Sequence, residues 1–377
     1  MNKKLLAPAA VICCAALITG CGGKSGGNRV GVVTGTGGTS DGSQIAAVYR
    51  GIESHAEADS LAIQVYTSAS DSIEGYAEQF LAAADDNNTY VVCAGSEMEQ
   101  AVYDAQSSHT NQKYILFGGV PRSAPGTDGT IRSNTECIGY DEQDMAFLAG
   151  YASVASGYRN IMFMTGAQSD EHTAAFDAFL KGAGAGVQAG GIDISSVNIS
   201  VEYAGTELIS PLRMQDALNA YDSGIALIVT DSEGLAGAIE KAAELRTCSV
   251  ATIGFDDRSK SSSVIYSAVA NGETAAAYLM DLITGSDGFE GGTLKICGAA
   301  ERAVGLSADY SRLGSFSEAA CSEVLAAMAE GTIGNGTGEE SQAQVQLSYT
   351  EVSPVMPDGS AGLAPPPTAP TAESGTA

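Results

Sequence analysis

Between residues 29 and 297 the chain repeats one pattern: a short apolar or β-branched run, then a stretch with apolar residues at helical spacing. This alternation restricts the fold more than any other feature, because strands buried on both faces and joined by helices belong to parallel sheets covered on each side. Val30 to Thr34 leads to a helix from about Ser43, and Leu61 to Tyr66 leads to Ser72 to Ala84, where Ile73, Tyr76, Phe80 and Leu81 share one face. Thr89 to Gly95 leads to Glu97 to Gln106, and Lys113 to Phe117 makes a fourth strand. After the turn-rich segment Pro121 to Asp128 the pattern restarts with Cys137 to Tyr140 and a helix over Glu142 to Ala155. It continues through strands at Asn160 to Thr165, Asn198 to Tyr203, Ile225 to Val229 and Val250 to Phe255, with helices between them.

A chain of 377 residues is long enough for roughly two domains. The expected fold is α/β with two lobes, each a parallel sheet flanked by helices, and a ligand cleft between them. The first lobe is expected over 29–135, with 264–297 crossing back to it; the second covers 136–263 and about 300–332. Ligands of open α/β sheets bind outside the carboxyl ends of the strands. The loops after Thr34, Gly95, Val229 and Phe255 are therefore the expected cleft wall.

Residues 1–20 carry Lys3 and Lys4 ahead of an apolar run from Leu5 to Ile18, too short for a stable membrane span and built like an export signal. The run closes on Leu17-Ile18-Thr19-Gly20-Cys21, which resembles a bacterial lipobox and makes Cys21 the expected lipidation site. Residues 21–28 have the composition of a flexible tether. Two acyl chains on Cys21 would anchor the protein durably to the extracytoplasmic face of the membrane. At the other end, 335–377 is rich in Gly, Glu, Ser and Pro and is expected to be mostly disordered, with a short strand near Val345 to Tyr349.

Charge and motif content exclude several functions. With 45 acidic and 18 basic residues the chain has a formal charge of −27, and it holds no basic cluster of the kind nucleic acid requires. The glycine motif Gly23-Lys24-Ser25-Gly26-Gly27 lies in the tether instead of on a strand-to-helix elbow, so it carries no nucleophile. Gly35-Thr36-Gly37-Gly38-Thr39-Ser40 follows a strand but has Ser40 where a dinucleotide fingerprint needs glycine. The three histidines, His55, His109 and His172, are not spaced as ligands, and only His172 falls near a lobe mouth. Beyond the signal and Cys21 five cysteines remain, with no C-x-x-C among them. Cys93 and Cys297 lie in apolar runs and are expected to be buried. Asp256-Asp257, after a strand, fits three uses: an acid or metal pair, an acceptor for a polar ligand, or a helix cap. No enzyme activity, cofactor or metal is expected.

Several stretches together resemble the basic-membrane-protein family of bacterial substrate-binding lipoproteins, which serve ABC transporters and bind purine nucleosides. They include Val32-Val33-Thr34 with Gly37-Gly38, Phe147-Leu148-Ala149-Gly150-Tyr151, Ile253-Gly254-Phe255-Asp256 and Ala303-Val304-Gly305-Leu306, in the family's order. The resemblance implies a hinge-closing receptor of the periplasmic type I kind, in which Asp256 would bind ligand hydroxyls while Asp41 and Ser43 would lie on the base side. Some family positions are substituted: its acid after the first strand is Gly35, its stacking aromatic is Gln44, and its lysine after Val269 is Ala270. Strand ends and resemblance together nominate Asp41, Ser43, Gln44, Ser96 and Glu97 on one lobe, and Asp231, Ser232 and Asp256 on the other. The expected function is capture of a small polar ligand, nucleoside-like or other, for an ABC permease. The alternative is a ligand-sensing or adhesion lipoprotein on the same fold.

Overall fold

The computed structural model describes residues 29–40, 43–56, 61–205, 211–254, 257–284, 288–334 and 345–354. The expected signal segment, Cys21, the tether, Asp41 and Asp256 lie outside these residues, as do 335–344 and 355–377 of the tail.

Strands β1 (Arg29–Thr34) and β3 (Tyr90–Ala94) are almost wholly buried, as Val-rich runs between two helical layers must be. β2 (Ala62–Thr67) is more exposed, while β4 (Lys113–Phe117) and β5 (Thr135–Tyr140) are buried again. The connecting helices are α1 (Gln44–Ala56), α2 (Ile73–Asp85) and α3 (Glu99–Ser108). Ser72 caps α2 by accepting the Gly75 N–H, worth about 1 kcal/mol. Helices α2 and α3 close one face of the sheet over Phe80, Met98, Val102 and Tyr114.

The chain then enters α4 (Glu142–Ala155), β6 (Asn160–Thr165), α5 (Asp170–Gly190), β7 (Asn198–Tyr203), α6 (Pro211–Asp222), β8 (Leu227–Thr230), α7 (Glu233–Arg246), β9 (Ser249–Gly254) and β10 (Val264–Ala270). Helix α5 starts on the Ser169 cap, ends at left-handed Gly191, and runs beyond the His172 to Gly182 stretch that the helical spacing predicts. Its internal glycines carry close packing: a Cβ at Gly182 would stand 1.9 Å from the Phe147 carbonyl oxygen, and one at Gly150 of α4 would stand 2.0 Å from that of Phe179. Backbone lies against backbone where the two helices cross. The remaining elements are α8 (Gly272–Thr284), β11 (Thr293–Cys297), β12 (Val304–Ala308), α9 (Glu318–Ala329) and β13 (Tyr349–Val352).

The strands form two sheets, ordered β11-β5-β4-β3-β1-β2 and β12-β10-β9-β8-β6-β7-β13. All neighbours are parallel except β10 and β12. Three boundaries differ from those expected. Residues 135–140 belong to the first sheet, paired with β4 and β11. The loop before them does not change lobe, because buried Gln106 holds it by donating to Thr130 O (2.8 Å) and accepting from Arg132 N (3.1 Å). The Asn134 amide adds bonds to Gln106 O, His109 O and Gln112 O, returning the chain to its own sheet. Residues 264–270 pair with β9 in the second sheet, so the return to the first lobe begins at α8, which packs on α1. In the tail, β13 extends the second sheet beside β7, and its first residue is the last one expected there.

Three crossings join the lobes: β5 into α4, β10 into α8, and β11 into β12. They are bonded together, Asp141 N–H donating to Cys297 O (3.0 Å) and Asn271 N–H to Ala303 O (2.7 Å). Ala299 N–H donates to the Asp144 carboxylate at 2.8 Å. All five cysteines beyond the tether are free thiols, four of them buried. Among the described residues no helix is long and apolar enough to cross a membrane.

Candidate functional site

Each sheet reverses its strand order once at the end nearest its N-terminal strand, between β1 and β3 and between β6 and β8. The crevice outside the carboxyl ends at such a point is where open α/β sheets bind ligands. Three of the four expected wall loops, those after Thr34, Gly95 and Val229, lie at these reversals, and the fourth follows neighbouring β9.

On the first lobe the polar groups mostly bond to one another. The amide and hydroxyl of Thr36 donate to the Asp71 carboxylate at 2.8 and 2.7 Å, and the Tyr76 hydroxyl donates to it at 3.2 Å. These bonds to the charged form hold the Asp71 carboxyl below its ordinary value. A Cβ at Gly35 would stand 2.6 Å from Asp71 Oδ1, so a carboxylate from the β2 loop occupies the space beside Gly35. Sequence reading passed over Asp71, because no β-strand pattern says which loop meets which. Ser43 accepts the Ala46 and Ala47 amides and so starts α1. The Gln44 amide lies over Gly118, where a Cβ would be 2.4 Å from its Nε2, and beside the Tyr140 hydroxyl. Burial pushes the Tyr140 phenol well up. Gly95 turns the chain at φ +102°, a conformation open chiefly to glycine, and exposed Ser96 and Glu97 follow in one 3₁₀ turn. The Glu97 carboxylate folds back over Gly95. Glu99 accepts Val120 N–H at 2.9 Å and pairs with Arg122 at 2.6 Å.

The second lobe holds a cavity of about 260 Å³ at its strand ends. Asp231 and Ser232, both expected, line it where β8 turns into α7, together with the end of β9. Sequence reading missed Glu142, Glu171, Glu233 and Arg258, and named His172 only as near the mouth; all five line the cavity. Each acid occupies the first turn of α4, α5 or α7, where the helix dipole alone accounts for it; its meeting with the others is a tertiary fact. Burial, then Glu171 and Asp231, push the Glu142 carboxyl up, with His172 opposing. His172 Nδ1 lies 2.6 Å from the Ala167 carbonyl oxygen, so that nitrogen carries the proton. Arg258 is paired with Glu240 at 2.5 Å, and its backbone N–H donates to Ser267. A second cavity, of about 360 Å³, shares Glu142, Glu171 and Ala175 and reaches Tyr140 and Ile296 of the first sheet. Among the described residues no three His, Cys, Asp or Glu side chains are placed to hold one metal ion.

The structure thus brings Asp231 and Ser232 into one cavity and sets Ser43, Gln44, Ser96 and Glu97 along the opposite lobe, while Asp41 and Asp256 fall outside the described residues. The profile of a family described as ABC transporter substrate-binding protein, PnrA-like, matches residues 29–333. An ABC transporter system solute-binding protein from Conexibacter woesei DSM 14684 superposes with a TM-score of 0.51 at 18% identity, covering 81% of this chain and 97% of that one. A transcriptional activator of the comK gene from Bacillus halodurans superposes with a TM-score of 0.55 at 12% identity, covering 84% of this chain and 100% of that one. At such identities the likeness is one of fold, the two-lobed architecture of type I periplasmic binding proteins.

Proposed function

Because the chain belongs to the family of PnrA-like ABC transporter substrate-binding proteins, we propose that it is a lipid-anchored receptor that closes its lobes on a small polar solute, nucleoside-like in size and hydrogen-bonding capacity, and hands it to a permease. The family captures solutes for ABC transporters, and such work calls for binding without chemistry. The observation that carries the reading is the second-lobe cavity at the order reversal of its sheet, lined by Asp231 and Ser232. The three bonded crossings supply a place to bend, as hinge closure around a ligand requires. The anchor is Cys21, behind its apolar run, with the body on the extracytoplasmic side.

A thermal-shift screen of the full chain in detergent against nucleosides, bases, sugars and amino acids tests the capture reading. A solute present at 100 times its Kd stabilises by about 2.7 kcal/mol. At least one class is expected to raise Tm. No shift with any class would favour a sensing or adhesion lipoprotein on this fold over a transport receptor. Metabolic labelling with a radioactive fatty acid tests the anchor: label is expected on the wild type and lost in Cys21→Ala, and an unlabelled wild type would contradict it.

A further inference from the structure

The outer edge of the second sheet is sealed by β13, and we infer that this strand is a proton-sensitive latch, docked while Glu202 carries a proton and released when that proton leaves. The residues that match the family end at 333, and β13 lies beyond them. The chain returns at 345–354 and runs parallel to β7. Helix α5 makes room for it: a Cβ at Gly184 would stand 2.2 Å from the Val345 carbonyl oxygen. Leu347 is buried in the core, and the Tyr349 ring meets Phe176 edge-on at 5.0 Å. Yet the pairing is four residues long and lies at a sheet edge, with Tyr349, Thr350 and Glu351 exposed. A segment of that kind opens locally at less cost than the lobe unfolds.

The register sets Val352 beside Glu202, and partners in a parallel pair share a face of the sheet. Val352 therefore closes the open edge over Glu202, which is only 2% exposed. On the inner side the register partner of Glu202 is Met164 of β6, which does not titrate. From α6 come Asp216, hydrogen-bonded to Glu202, and Arg213, which pairs with Asp216 and donates to Ala204 O at 2.7 Å. These are the charged groups that act on it: Asp216 disfavours its ionisation and Arg213 favours it. Glu351 and Tyr203 alternate onto the other face. With β13 away the edge is open, water reaches Glu202, and burial no longer holds its proton on. The docked state thus binds more proton than the released one. Docking has its full strength below the ordinary carboxyl value and weakens as pH rises toward about 8. Release bares Phe176 and the unpaired backbone edge of β7, a template for another strand.

Hydrogen–deuterium exchange of the full chain in detergent tests the latch, each amide rate being divided by its unstructured rate at the same pH. Between about pH 6 and about pH 9 the protection of the β13 amides is expected to fall about tenfold or more, while α4 and β9 in the same lobe keep theirs. Glu202→Gln has no proton to lose and still offers Asp216 a donor, so its β13 is expected to stay protected at both pH values. Fluorescence gives a second reading, because the chain has no Trp of its own. The emission of Tyr349→Trp is expected to move to the red over the same pH range, and to stay fixed when Glu202→Gln is added. Protection in the wild type that does not change with pH would overturn the inference. So would an equal fall in Glu202→Gln, a Glu202→Gln chain whose β13 is already unprotected at pH 6, or a fall shared by the whole second lobe.

Discussion

The two lobes share a frame and differ in what they leave unfinished. Read from the reversal outward, β2-β1-β3-β4-β5-β11 and β7-β6-β8-β9-β10-β12 have the same order, and each lobe closes one face with a helix pair in close contact, α1 with α8 and α4 with α5. On the first lobe, Asp71, Thr36 and Tyr76 bond to one another, as do Glu99, Val120 and Arg122. On the second, Ser232 Oγ has no partner and four acids share one cavity. The difference teaches that sheets of one strand order set where the strand-end crevices lie, and the loops decide how far the polar groups there are bonded to one another.

The largest effect is expected where backbone meets backbone. Gly182→Ala would put a Cβ 1.9 Å from the Phe147 carbonyl oxygen, and neither helix can yield without opening the second-lobe core. A loss of about 3 kcal/mol or more is expected in chemical denaturation. Gly51→Ala makes the corresponding test of the first lobe, 2.1 Å from the Glu273 carbonyl oxygen. Equal melting of both variants by probes in each lobe would show that the lobes unfold as one unit.

A smaller effect concerns a buried acid of the second lobe that lies beside a buried ion pair. In the second lobe Arg213 pairs with Asp216 at 3.0 Å, both nearly inaccessible, and Glu202 lies against Asp216. Burial first, then Asp216, push the Glu202 carboxyl up to about 8, against the pull of Arg213. The folded state thus holds a proton that the unfolded chain has released above its ordinary value. Stability is full below that ordinary value and is lost progressively as pH rises toward about 8. Denaturation at several pH values should show this decline, on the order of 1 to 3 kcal/mol, and Glu202→Gln should flatten it. An unchanged slope in the variant would assign the decline elsewhere. The smallest effect is opposite in sign. Gly237 lies within α7 with nothing within 4 Å of a Cβ, so Gly237→Ala should raise stability by about 0.4 to 1 kcal/mol.

Much of this was legible in the strands themselves. The runs at Val30, Thr89, Lys113, Asn160 and Val250 are strands because each is apolar enough to be buried on both faces. Sheet membership was less legible, since the pattern at 135–140 is the same in either lobe and the deciding bonds come from Gln106 and Asn134. Asp231 and Ser232 could be named from their place after a strand. Glu142, Glu171 and Glu233 could not, because an acid in a helix's first turn is ordinary until three helices bring their first turns to the wall of one cavity.

X-ray scattering of the full chain in detergent, matched so that the micelle does not scatter, tests the central claim of capture by closure most directly. With the tightest solute from the screen, the account predicts a smaller radius of gyration and a profile shifted toward a closed two-lobed body, reversed when the solute is dialysed away. An unchanged profile at a concentration where calorimetry shows the site saturated would contradict it.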